Sequence, residues 1–164
     1  MSEVRNLLRA NDLYAATHEH EQVPGARPTR RIAVITCMDA RIDVFAVLGL
    51  HLGEAHVMRN AGGRITDDML RSLALSSHVL GVDTVVVMQH TQCGLAGVTD
   101  EQLTEITGAD VGFLPIDDHG RALRDDIDLI AGTRYLTPIE RVVGLVYDIE
   151  TGMVESLLDW KRAS

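Results

Sequence analysis

The sequence predicts an α/β fold: a mostly parallel central sheet flanked by helices, preceded by an N-terminal helical arm and closed by a C-terminal hairpin or strand with a turn. Two observations carry this expectation. Short β-branched apolar runs without alternation, as strands covered on both faces require, recur between segments of helical spacing. Their β-α-β-α-β order argues for parallel strands joined by right-handed crossovers.

Val4, Leu7 and Leu8 recur at i, i+3 and i+4, and the pattern continues at Tyr14 and Ala15. The first twenty residues therefore read as an amphipathic helix with an apolar stripe that nothing within the arm covers. Gln22 to Arg31 carries two prolines and a glycine and reads as a linker. The expected organisation is one domain over 1–164, with a helical arm at 1–22, a linker at 23–31 and an α/β body at 32–164.

In the body, Ile32–Cys37 and Asp83–His90 are the strongest strands, and Glu54–Met58 is a weaker one. Thr66, Asp67 and Asp68 open a helix carried by Met69, Leu70, Leu73, Ser77 and Leu80 and stopped by Gly81. Thr99-Asp-Glu-Gln102 is a capping signal for a helix toward Thr107. After a loop containing Gly108, Gly112 and Pro115, the spacing of Leu123, Ile127, Ile130 and Ala131 marks a helix before Gly132. Val142–Tyr147 and Met153–Leu157 flank Thr151-Gly152 as a hairpin.

Twenty-four acidic residues against fifteen basic ones give a formal charge of −9, which repels phosphate backbones and anionic lipid surfaces alike. Neither nucleic acid nor a membrane is an expected partner. The start Met-Ser-Glu-Val-Arg-Asn lacks a basic n-region and an apolar h-region, so the expected location is cytoplasmic. Cys37 and Cys93 could form one disulfide, but a reducing compartment favours a metal site or buried thiols.

Three clusters carry chemistry. His90-Thr-Gln-Cys93 places an imidazole and a thiol three positions apart in a turn leaving a strand, a mixture that zinc accepts; a chance pair with a buried thiol is the alternative. Cys37-Met-Asp-Ala-Arg41 adds a thiol flanked by a carboxylate and a guanidinium, which could also be an ordinary surface ion pair. Arg59-Asn-Ala-Gly-Gly63 allows positive φ and close backbone approach to a ligand, or a plain glycine turn. All three lie just beyond predicted strands, where a parallel sheet places its ligands. If the strands of Cys37 and His90 are neighbours, the two side chains meet.

CMDAR, RNAGG and HTQCG, in this order and spacing, resemble the signature segments of the β-class carbonic anhydrases, in their short form. The segments run from Cys37 to Gly94, and the resemblance extends loosely from Ile32 to the closing hairpin. It implies that Cys37, His90 and Cys93 bind one Zn2+ per chain. It also implies a catalytic dyad of Asp39 and Arg41, with Asp39 as a fourth ligand in a closed form, and a substrate pocket lined by Ala61, Gly62 and Gly63. The implied reaction is reversible hydration of carbon dioxide to bicarbonate and a proton by zinc-bound hydroxide. The arm's apolar stripe would be buried in a homodimer in which each arm lies on the other subunit; the resemblance also implies a dimer, with higher homo-oligomers open. The glutamine that plant-like members add to the pocket has no assigned counterpart here.

Three alternatives stand beside this reading. The same site could hydrolyse carbonyl sulfide or carbon disulfide; it could be a non-catalytic zinc-containing binding domain; or Cys37 and Cys93 could be a redox pair, although a CxxC motif is lacking. His18 and His20 read as a solvated helical face, and His51, His56, His78 and His119 are scattered without ligand spacing. Met58, Met69 and Met88 read as core filling.

Overall fold

The computed structural model describes residues 2–17, 25–109 and 111–163. Helix α1, Glu3–Thr17, buries none of its residues. Val4, Leu7, Leu8 and Leu13 are 62–73% exposed, so its apolar stripe is uncovered among the described residues. His18, His20 and the start of the linker lie outside the described residues.

Five strands follow: β1 Ile32–Cys37, β2 Ala55–Asn60, β3 Thr84–His90, β4 Arg141–Tyr147 and β5 Val154–Lys161. They form one sheet in the order β2-β1-β3-β4-β5. The first four strands are parallel, and β5 returns antiparallel to β4 as the expected hairpin. β2 runs two residues beyond the expected Glu54–Met58 end, because Arg59 and Asn60 still pair with Thr36 and Cys37. Their polar side chains conceal the strand end in the sequence.

Helix α2, Val44–Leu48, was not anticipated: Asp43 caps it by accepting from the Ala46 N–H, and Gly49 ends it in the left-handed region, leaving it too short to show a period. A 3-10 turn spans Ala61–Gly63. Helix α3 is Asp67–His78; Thr66 precedes it in extended conformation but its side chain caps nothing, so the carboxylates of Asp67 and Asp68 serve its N-terminus. Helix α4, Asp100–Thr107, carries the complete capping box of Thr99 and Gln102. Helix α5, His119–Gly132, starts on Asp118.

Leu70 and Leu73 of α3 and Leu123, Ile127 and Ile130 of α5 pack with Ala33, Ile35, Val85 and Val87 on one side of the sheet. Each of these leucine, isoleucine and valine side chains contributes roughly 1.5–3 kcal/mol by leaving water. The second cluster gathers Val34, Ile42, Val44, Met88 and Leu95, but Ile32, Val57, Val86 and Leu145 there are only partly buried. The expected roles of Met69 and Met88 as core residues hold, with Met58 packed partly buried against the first cluster.

This order places the functional crevice. From β1 the chain goes to β2 on one side, then passes back to β3 on the other. The carboxyl ends of β1 and β3 therefore flank a switch point, and Cys37 and His90 are their last residues.

Candidate metal centre

Cys37 is delivered by β1, His90 by β3, and Cys93 by the turn that leaves β3. All three are buried, and their ligand atoms lie within 4.8 Å of one another. The two sulfurs are 3.9 Å apart as free thiols, so the expected meeting of these residues holds. The ring Nδ1 of His90 donates to the Thr91 carbonyl at 2.9 Å, which leaves a lone pair on Nε2. That Nε2 is sealed from solvent and has no hydrogen-bond partner among the described residues.

A buried acceptor without a donor costs free energy unless a Lewis acid fills the gap. Burial holds His90 below its ordinary value, so the ring is neutral, and burial pushes the Cys93 thiol up, with Cys37 beside it acting in the same direction. Thiolates here need a cation. Two thiolates and one neutral imidazole match zinc in softness and cancel a charge of +2; the residues present fit the metal.

Asp39 stands beside the group, its Oδ2 3.8 Å from His90 Nε2. Arg41 grips it through Nε to Oδ1 at 2.9 Å and Nη2 to Oδ2 at 2.7 Å, and the Arg41 backbone N–H adds a bond to Oδ1 at 2.9 Å. These bonds hold the Asp39 carboxyl far below the usual carboxylate range. Arg41 Nη2 also reaches the Gln92 carbonyl at 3.0 Å, tying the dyad to the turn that carries Cys93.

An opening of about 260 Å³ leads to the cysteines, with Asp39, Ala61, Gly62 and Leu95 among the residues that line it. Gly63 lies behind this wall: a Cβ there would sit 2.7 Å from the Thr36 carbonyl carbon and 2.8 Å from the Cys37 nitrogen. Its φ of +66° belongs to the region that favours glycine.

Several residues of the site were not assigned from sequence. Arg59 donates to the carbonyls of Cys37, Asp39 and Ile42, which locks the loop between Cys37 and α2. Arg64 and Asp126 form a buried pair at 2.8 Å. The available signal for Asp126 was a carboxylate on the apolar stripe of α5, between Leu123 and Ile127.

A family model described as carbonic anhydrase matches residues 32–112. β-Carbonic anhydrase 1 of Mycobacterium tuberculosis is 35% identical over 136 residues, covering 79% of this chain and 83% of that protein. The chain belongs to the β-carbonic anhydrase family. The crystal structure of the carbonic anhydrase from Streptococcus mutans superposes with a TM-score of 0.85 at 40% identity, covering 96% of this chain and 99% of that one. With these carbonic anhydrases as relatives, the chain is an enzyme of the lyase class. Carbon disulfide hydrolase from Acidianus is also related, 39% identical over 84 residues that cover 51% of this chain and 41% of that protein.

Proposed function

We propose that the chain catalyses the reversible hydration of carbon dioxide to bicarbonate and a proton, using one zinc ion held by Cys37, His90 and Cys93. The observation that carries this is the buried Nε2 of His90, without a hydrogen-bond partner among the described residues, beside two thiols that line the inner end of a largely apolar opening. A bound zinc supplies Lewis-acid activation of water, which lowers the water pKa from 15.7 to about 7.

The chain's own residues do the rest. Asp39, kept ionised by Arg41, offers Oδ2 as the hydrogen-bond acceptor that orients the attacking water. Because Arg41 occupies both carboxylate oxygens, Asp39 is restrained from closing on the ligand group as a fourth donor. Ala61, Gly62 and Leu95 offer a small linear substrate a wall with few competing polar groups. The backbone of Gly63, packed on Thr36 and Cys37, sets the position of that wall.

A second reading keeps the site and changes the gas, and the relatives named carbon disulfide hydrolase favour it. Initial rates of the zinc-loaded protein on carbon dioxide and on carbon disulfide separate the two. Faster carbon dioxide turnover supports the proposal; turnover of carbon disulfide alone replaces it.

The uncovered stripe of α1 and the partly buried second face of the sheet both support a homodimer in which each arm covers its partner. Reduced cysteine ligands fit a cytoplasmic compartment. Among the described residues no helix is long and apolar enough to cross a membrane.

A further inference from the structure

The buried pair of Arg64 and Asp126 lies outside the ligand group, yet its hydrogen bonds run to the wall of the opening. Asp126 is 2% exposed and Arg64 6%. Asp126 Oδ2 accepts from Arg64 Nε at 2.8 Å, and Oδ1 accepts from the Ile65 N–H at 3.1 Å. Gln89, the residue before His90, makes a longer contact to Oδ2 at 3.5 Å and accepts from His119 Nδ1 at 2.8 Å.

Arg64 continues outward. Its Nη1 donates to the carbonyls of Leu114 at 2.7 Å and Pro115 at 3.3 Å. Leu114 holds φ at 56°, a left-handed value that a leucine keeps only when its surroundings enforce it. Two residues later the Ile116 N–H donates to the Leu95 carbonyl at 3.1 Å. A Cβ placed on Gly62 would lie 2.8 Å from Leu95 Cδ1 and 3.3 Å from Ile116 Cδ1, so these three residues meet without slack.

We infer that Asp126 and Arg64 are positioning residues that set the width of the opening beside Cys37, His90 and Cys93. Asp126 anchors the guanidinium, the guanidinium fixes the 114–116 segment, and Ile116 holds Leu95 against Gly62. An apolar pair of similar shape could serve stability as well as a buried ion pair does. What the charged pair adds is direction: one fork reaches a carboxylate and two carbonyls at fixed angles. The kinetic part of this inference rests on the carbon dioxide reading, and the structural part does not.

The test uses the full-length, zinc-loaded protein with Arg64→Lys and Asp126→Asn. Arg64→Lys keeps the charge opposite Asp126 but loses the fork, so it breaks the link to Leu114 and Pro115 without stranding a buried carboxylate. Three quantities are read: zinc per chain, kcat and kcat/KM for carbon dioxide hydration in concentrated buffer, and the amide resonances of Gly62 and Leu95. The expected result is unchanged zinc, kcat/KM lowered by about fivefold or more, kcat within about twofold, and displaced Gly62 and Leu95 resonances. Loss of fold alone would move kcat and kcat/KM together through the active fraction. A folded, zinc-loaded Arg64→Lys protein with unchanged kcat/KM and unmoved resonances overturns the inference. If the parent itself does not hydrate carbon dioxide, the functional reading fails and the resonances decide: displacement supports the positioning role, and its absence overturns it.

Discussion

Arg41 holds Asp39 by two parallel side-chain bonds, at 2.9 and 2.7 Å, with the Asp39 carboxylate 3.8 Å from the unpartnered nitrogen of His90. A carboxylate in this position has two uses that exclude each other, orienting a water or capping the metal. The guanidinium favours the first.

Removing the carboxylate therefore separates catalysis from metal binding. Asp39→Ala is expected to lower carbon dioxide turnover by about a hundredfold while zinc per chain, measured by atomic absorption, stays unchanged. Zinc lost in proportion to activity would show that Asp39 acts as a ligand.

The thiols should behave in the opposite way. Cys93 is buried beside Cys37, their sulfurs 3.9 Å apart. Cys93→Ala is expected to retain less than about a tenth of the parent zinc after dialysis and to lose activity in step. Full zinc occupancy in this variant would break the ligand assignment.

Gly63 tests whether the wall is built into the backbone. Alanine there combines a φ of +66° with a Cβ under 3 Å from Thr36 and Cys37 main-chain atoms, which cannot move aside as a side chain can. Gly63→Ala is expected to cost about 2 kcal/mol or more, lowering the thermal midpoint by about 5 °C or more in calorimetry.

His119 gives the acid limb of stability. Burial holds its imidazole below the ordinary value. As pH falls through about 6.5, the unfolded chain takes the proton first, so stability is complete above that pH and is lost toward the lowered folded value. In the zinc-loaded protein, His119→Gln should lose less thermal stability than the parent between about pH 7.5 and 5.5. An identical fall in both would assign the acid limb elsewhere.

The strands at Ile32 and Thr84 were legible because both faces are covered, which leaves no polar alternation in the sequence. The meeting of Cys37 and His90 was legible because a parallel sheet places its ligand sites at strand carboxyl ends, and both residues stand there. Helix α2 was not, since its five residues are held by Asp43 and Gly49 and cannot display a period. The Arg64 and Asp126 pair is a contact across 62 positions that no local spacing encodes. Gln89 inside an apolar run and Asp126 on an apolar stripe were its only traces, each readable as polar but neither naming its partner.

Stopped-flow carbon dioxide hydration during stepwise return of zinc to metal-stripped protein, with bound zinc counted in the same samples, tests the central claim most directly. Turnover that rises linearly and saturates at about one zinc per chain is the expected result. Full zinc occupancy without hydration, or hydration that does not follow zinc, would contradict it.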